Sequence, residues 1–230
     1  MSGRGGTVSV LDGLLPSSVA VEELWEHPAD LGLFPGEAAS VSRAVEKRQR
    51  EFAAVRRCAR AALTRLELPP AAILPGKRGE PVWPPGVVGS MTHCTGYAAA
   101  ALAMSDDIAG LGVDAEPHGP LPDGVLDLTS LPGERARIAR LTDQDPGTHW
   151  DRLMFSMKEA VYKTWFPLTR RWLDFTEAET DVDPERRTFC ARLLIPGPIV
   201  DGVRCNQFAG RWTIADGIVV TAIALCRNDP

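Results

Sequence analysis

The chain has 230 residues, of which 44% are hydrophobic and 24% charged, with a formal net charge of −5 at pH 7. Such a chain can bury a core as one large domain or two small ones. No run approaches the ~20 apolar residues of a membrane-spanning helix, and an acidic chain has no general attraction for nucleic acid. We therefore expect neither membrane insertion nor nucleic-acid binding, and we expect residues 1–7 to form a disordered tail.

Hydrophobic periodicity predicts the elements of the first half. A strand is predicted over residues 19–25, followed by one long helix over 35–66 with apolar residues at three- and four-residue spacing. A loop rich in proline and glycine follows. Strands are then predicted over 87–88, 97–104 and 108–115.

Arg48 interrupts the apolar stripe of the predicted long helix, where it falls between Val45 and Phe52. A buried and unpaired charge is costly, so Arg48 is predicted to have an anionic partner. That partner could be a carboxylate in a structural salt bridge or the phosphate of a ligand.

The second half repeats the mixture of helix and strand. A short helix is predicted over 132–141, and a longer one over 150–166 that Pro167 ends. Strands are predicted over 175–182, 188–194, 210–215 and 218–225, and an Asp216-Gly217 hairpin turn joins the last two. Helical and strand sequence in each half, without regular alternation, predicts an α+β fold.

The five cysteines bear on the cellular compartment. Their number is odd, their spacing is wide and no Cys-x-x-Cys pair occurs. This argues against a disulfide framework and against a zinc site. We expect reduced thiols in a cytoplasmic protein.

Two segments together supply three carboxylates and two lysines. Asp114 and Glu116 stand two residues apart at the end of an apolar strand, so their side chains point to the same side. Glu159 lies on the second long helix with Lys158 and Lys163. Carboxylates supply the hard oxygens that Mg²⁺ prefers, and lysines neutralise phosphate. The structural alternatives are a charged strand end and an ordinary i,i+4 ion pair between Glu159 and Lys163.

In this order and separation, these segments resemble the 4′-phosphopantetheinyl transferases, most closely the large monomeric class that serves polyketide, nonribosomal peptide and siderophore synthases. A third block agrees, since residues 78–84 and 89–94 resemble the family's Gly-x-Pro and Ser/Thr-His segments. The resemblance implies two similar α+β halves, residues 1–110 and 111–230, in a pseudo-twofold arrangement with the site in the cleft between them. No sequence similarity between the halves is evident.

The resemblance also implies a reaction. The family transfers 4′-phosphopantetheine from coenzyme A to a serine of an apo acyl or peptidyl carrier protein, and it releases 3′,5′-ADP. The expected cofactor is Mg²⁺, for which Mn²⁺ can substitute, and the expected state is a monomer. The alternatives are a non-catalytic relative that binds carrier proteins or coenzyme A, and another Mg²⁺-dependent phosphotransferase.

Roles for individual residues follow from the resemblance. Glu159 is the candidate base, directly or through a metal-bound water, and Lys163 is an electrostatic clamp or an alternative base. His93 contacts the diphosphate, although a hydrogen-bonded core histidine is the structural alternative. The implied metal ligands are Asp114, Glu116 and Glu159. The implied coenzyme A ligands are Arg48, Arg56, Lys77, Arg78, Thr92, His93, Asp114, Lys158 and Lys163.

Overall fold

The computed structural model describes residues 9–26 and 30–227, so the predicted N-terminal tail lies outside the described residues. The first half contains β1 (Ala20–Trp25), α1 (Pro35–Val41), α2 (Glu46–Arg65), β2 (Leu74–Pro75), β3 (Pro81–Val82), β4 (Val87–Cys94) and β5 (Tyr97–Met104). The second half contains β6 (Ile108–Pro117), α3 (Val125–Thr129), α4 (Pro132–Gln144), α5 (Trp150–Thr169), β7 (Ala178–Asp183), β8 (Thr188–Leu193), β9 (Ile199–Val200), β10 (Val203–Arg204), β11 (Gln207–Ala215) and β12 (Ile218–Cys226).

Each half packs one long helix on an antiparallel sheet. In the first half, α2 lies on the three-stranded sheet β1-β5-β4. In the second half, α5 lies on the five-stranded sheet β6-β12-β11-β8-β7. Both helices have 20 residues. The predicted α+β fold with two similar halves is confirmed.

The two sheets meet where β4 runs beside β6. Two hydroxyl groups of β4 accept hydrogen bonds from the backbone of β6: the amide of Val113 donates to Ser90 Oγ at 3.0 Å, and the amide of Ala115 donates to Thr92 Oγ1 at 2.9 Å. These bonds satisfy backbone groups that would otherwise be buried without partners. They also place the end of β4 next to Asp114.

Helix α5 approaches β6 closely at Gly112. A Cβ atom at this position would overlap the carbonyl oxygen of Ala160 and the hydroxyl of Thr164, both on α5. Because a backbone carbonyl cannot swing aside, the contact requires glycine. It brings Glu159 and Lys163 of α5 close to Asp114.

We expect Gly112→Ala to lower the free energy of unfolding by about 3 kcal/mol, since the added methyl must push α5 off the sheet. Urea unfolding measures the change. Gly119→Ala is the matched control, because a Cβ there meets no atom within 4 Å. Equal stability of the two variants would contradict the close contact.

Several predicted elements differ from the structure, among them the strand over 175–182, which begins at Ala178 after the 3-10 helix Phe175–Glu177. The single helix over 35–66 is wrong: α1 ends at Val41, and α2 begins at Glu46 with Val45 as an N-cap residue that is 74% exposed. Pro167 lies inside the last turn of α5, which continues to Thr169 because few backbone bonds remain there for a proline to break. The strand over 87–88 extends through residue 94 as β4. The Asp216-Gly217 turn is confirmed, with φ of 50° and 77°.

Both halves bury a glutamate at the start of a short helix. The segments Phe34-Pro35-Gly36-Glu37 and Leu131-Pro132-Gly133-Glu134 open α1 and α4, and both glutamates are 0% exposed. Each accepts a bond from the amide three residues before it, at Phe34 and Leu131, and pairs with a cation on the long helix of its own half.

The cation is Arg60 for Glu37, at 2.8 Å, and Lys158 for Glu134, at 2.7 Å. Further backbone amides, those of Ile73 and Thr180, complete the two carboxylate shells. A buried charge is tolerated when it is paired and hydrogen-bonded in this way. The repeated Pro-Gly-Glu is a sequence signal of similarity between the halves, although the sequence-based expectations did not include it.

Two further observations concern the described residues. Within residues 9–26 and 30–227, no helix has the length and apolarity to cross a membrane. The described residues include all five cysteines, and no disulfide joins any of them.

Candidate active site

A cavity of about 500 Å³ lies between the two halves. Helix α2, the loop that includes residues 75–81 and strand β4 form one side, and α5 forms the other. The charged or titratable residues that line it are Arg48, Arg56, Arg78, Glu80, His93, Glu159, Tyr162 and Lys163. The cavity therefore joins cations of the first half to a carboxylate and a lysine of the second.

Asp114, Glu116 and Glu159 form an acidic centre beside the cavity, of which Glu159 lines the cavity and the other two do not. Asp114 is the buried member of the three. Its Oδ1 atom accepts a 2.7 Å bond from Nζ of Lys163, which also donates to the carbonyl of Val113 at 3.0 Å. The other carboxylate oxygen, Oδ2, is buried and has no hydrogen-bond partner among the described residues. Such an atom has the capacity to accept a further donor or to ligate a cation.

Glu116 and Glu159 add negative charge beside Asp114. Burial raises the pKa of Glu116 and the Asp114 carboxylate raises it further, while Arg152, whose Nη1 lies 2.9 Å from Glu116 Oε2, opposes the shift. Burial also raises the pKa of Glu159, and Asp114 again adds to the shift. Burial is the larger cause of both shifts, and repulsion by Asp114 adds to it.

This donor set suits a divalent cation in its chemistry. Asp114, Glu116 and Glu159 offer carboxylate oxygens, and one of those oxygens is buried without a partner among the described residues. In this conformation Lys163 holds Asp114 and Arg152 holds Glu116. Among the described residues, no three histidine, cysteine, aspartate or glutamate side chains are arranged to hold a metal by themselves.

The basic side centres on His93 and Arg48. Arg48 Nη1 lies 2.7 Å from His93 Nε2, and because arginine only donates, Nε2 accepts and the ring is neutral here. Burial lowers the pKa of His93, and the nearby Arg48 lowers it further. Arg48 itself is half-exposed, not buried in an apolar stripe, and its anionic partner is Glu51 at 3.5 Å.

Arg56 and Arg78 line the cavity from different settings. Arg56 is buried and donates from Nε to the carbonyl of Ile73 at 2.9 Å, and burial lowers its pKa to about 10. Arg78 is exposed on a loop that Glu80 fixes by accepting a 2.9 Å bond from the Arg78 amide. Lys77 is exposed and does not line the cavity.

Two residues that were expected to bind coenzyme A, Thr92 and Lys158, contact other parts of the protein instead. Thr92 is buried and does not line the cavity. Its Oγ1 atom donates to Asp114 Oδ1 at 3.4 Å and accepts a bond from the amide of Ala115 at 2.9 Å. Lys158 does not reach the cavity: it is buried, and Nζ donates to Glu134 and to the carbonyls of Phe175 and Ala178. An ammonium has three donors, so none remains for a ligand. This placement argues against the expected contact of Lys158 with coenzyme A.

Sequence reasoning missed two partners at this site. Glu51 follows Arg48 by three residues on a helix, a spacing that could have indicated the pair. Arg152 is 36 residues from Glu116, and no local pattern connects them.

Fold and site together define a protein of two α+β halves whose shared cavity suits a phosphorylated ligand. Comparison with known proteins agrees. The profile of the 4′-phosphopantetheinyl transferase N-terminal domain matches residues 36–103, and that of the 4′-phosphopantetheinyl transferase superfamily matches residues 110–215. The chain belongs to the 4′-phosphopantetheinyl transferase family.

Three relatives match over nearly the whole chain. The 4′-phosphopantetheinyl transferase Svp of Streptomyces mobaraensis is 58% identical over 94% of this chain and 89% of the relative. PptT of Mycobacterium tuberculosis is 47% identical over 94% of this chain and 96% of its own. Npt of Nocardia iowensis is 48% identical, with 94% and 99% covered. Both relatives carry the same enzyme name as Svp.

Proposed function

We propose that this protein transfers the 4′-phosphopantetheine group of coenzyme A to a serine of an apo acyl or peptidyl carrier protein. The observation that carries the proposal is the cavity in which Arg48 and His93 of one half face Glu159 and Lys163 of the other. Phosphoryl transfer requires mainly positioning and charge stabilisation, which this set of side chains supplies. The names of the three relatives support the same reaction.

The chain's own residues suggest how the proton moves. The nucleophile is the carrier's serine hydroxyl, so the enzyme must accept its proton. Glu159 lines the cavity and would accept this proton directly or through a bound water molecule. Lys163 lines the cavity and is ion-paired to Asp114 at 2.7 Å, which supports the role of clamp on the departing 3′,5′-ADP.

We further propose that Asp114, Glu116 and Glu159 hold Mg²⁺, for which Mn²⁺ can substitute. The unpartnered Asp114 Oδ2 and the raised pKa values of both glutamates support this choice. When bound, the ion would supply positive charge that offsets the diphosphate.

We also propose roles for the two halves, an oligomeric state, a location and a class of partner. We assign coenzyme A binding to residues 1–110 and the acidic centre to 111–230, although β6 begins at Ile108 and pairs as a whole with β12. One chain supplies both sides of the cavity, which supports a monomer. Thiols without a disulfide among the described residues support a cytoplasmic location. The partners would be carrier proteins or carrier domains of polyketide, nonribosomal peptide or siderophore synthases.

Intact-mass analysis of an apo carrier protein tests the reaction. After incubation with this protein, coenzyme A and Mg²⁺, we expect a gain of one phosphopantetheine group, and we expect none when EDTA is added. A gain that survives EDTA would reject the metal. A gain of phosphate alone would indicate another phosphotransferase, and coenzyme A binding without any gain across several carriers would indicate a non-catalytic relative.

A further inference from the structure

Glu51 is a carboxylate placed among cations at the edge of the proposed coenzyme A site. Its Oε2 atom lies 3.3 Å from His93 Nε2 and 3.5 Å from Arg48 Nη1, and Oε1 lies 4.0 Å from Lys47 Nζ. The side chain is 17% exposed, so water screens it incompletely. Arg48 and His93 line the cavity, whereas Glu51 stands behind them.

The guanidinium of Arg48 cannot bind its present neighbours and a ligand phosphate equally well. One nitrogen, Nη1, contacts both His93 and Glu51. Within the described residues, the ion pairs of Arg48 involve no carboxylate other than Glu51. A phosphate oxygen that binds Nη1 of Arg48 at normal hydrogen-bond length would stand at most about 6 Å from Glu51 Oε2, because Nη1 itself lies 3.5 Å from that atom. Two anions at that distance repel each other.

We propose that Glu51 is an internal counter-anion, which neutralises Arg48 in the empty site and weakens the binding of a ligand phosphate there. This inference rests on the proposed function, because it names the residue that sets affinity at the same site. Its consequence is a site that holds few stray anions and releases 3′,5′-ADP more readily than bare cations would.

Calorimetric binding to Glu51→Gln tests the proposal, because glutamine keeps the shape and removes the charge. We expect coenzyme A and 3′,5′-ADP to bind about fivefold more tightly than to the unmodified protein, and the gain to shrink in about 0.5 M salt. Dephospho-coenzyme A, which lacks the 3′-phosphate, identifies the group involved. Tightening that it does not share places the 3′-phosphate at Arg48, and tightening that it shares places the other phosphates there.

Glu46→Gln is the matched control, since Glu46 lies on the same helix and pairs with Arg50, an exposed residue that does not line the cavity. It should leave all three affinities unchanged. Glu51→Ala is a second variant with the same expected direction, and thermal unfolding checks that each variant is folded.

Weaker or unchanged binding to the Glu51 variants would overturn the proposal, because Glu51 would then only orient Arg48 and His93. Equal tightening in Glu46→Gln would overturn it too, since the effect would be one of general charge. If the unmodified protein bound none of the three ligands, the proposed function and this inference would fall together. If it modified a carrier while Glu51→Gln bound coenzyme A as before, only the inference would fail.

Discussion

Glu159→Gln is expected to lose about 10³-fold in the rate of carrier modification while the protein remains at least as stable as before. The loss follows from the removal of the proposed base and metal ligand. The stability follows from the raised pKa of Glu159: its charged form is disfavoured by burial and by Asp114, so the folded state bears a cost whenever Glu159 is ionised. Glutamine removes that cost.

The comparison needs two measurements on one sample. Carrier modification is followed by intact mass, and thermal unfolding is recorded near pH 7.5, where an ionised Glu159 costs the most stability. Glu185→Gln, at an exposed turn, is the control and should change neither. A variant that kept its transfer rate would remove Glu159 from the mechanism, and one that was inactive because it had unfolded would refute the account of its charge.

Lys163→Met is expected to abolish transfer and to lower the free energy of unfolding by about 3 kcal/mol, because it leaves the buried Asp114 carboxylate without its ion pair. The loss should depend on pH. Lys163 lowers the pKa values of Glu116 and Glu159, so without it both rise further. Carboxyl groups with raised pKa values destabilise the fold when ionised and stop doing so as pH falls and they take up protons. The deficit should therefore be larger at pH 8 than at pH 5.5.

Urea unfolding at the two pH values measures this dependence. Addition of Asp114→Asn to Lys163→Met removes the orphaned carboxylate and should recover part of the stability but none of the transfer. Lys47→Met, at an exposed position of α2, controls for the loss of a lysine. A deficit that grew on acidification would show that the acidic centre is not what Lys163 stabilises.

How far the sequence predicts this structure depends on the range of the interactions involved. Strands β1, β5 and β12 and helix α5 fall within three residues of their predicted bounds, since alternating or helical periodicity is a local signal. The break between α1 and α2 carries no proline or glycine, and apolar spacing continues across it through Val45. Periodicity alone therefore predicted one helix.

Strand β4 was predicted too short, because part of its sequence is polar. Its buried positions include Ser90 and Thr92, which an apolar pattern does not count as core, and they are buried because their hydroxyls accept bonds from β6. The residues of the candidate site also differ in whether a local motif reveals them. Asp114, Glu159 and Lys163 stand out by local motif, whereas the contacts of Arg48 with His93 and of Glu116 with Arg152 join distant parts of the chain.

The two buried glutamates carry information about the origin of the chain. Glu37 and Glu134 follow the same Pro-Gly step, open equivalent helices and bind a cation from the long helix of their own half. The simplest history of such a repeat is duplication of one ancestral gene segment and fusion of the copies. The cation is arginine in one half and lysine in the other, whereas the glutamate is the same in both. In each half the carboxylate also accepts a bond from a backbone amide of a third segment, Ile73 or Thr180, so one side chain joins the short helix, the long helix and that segment.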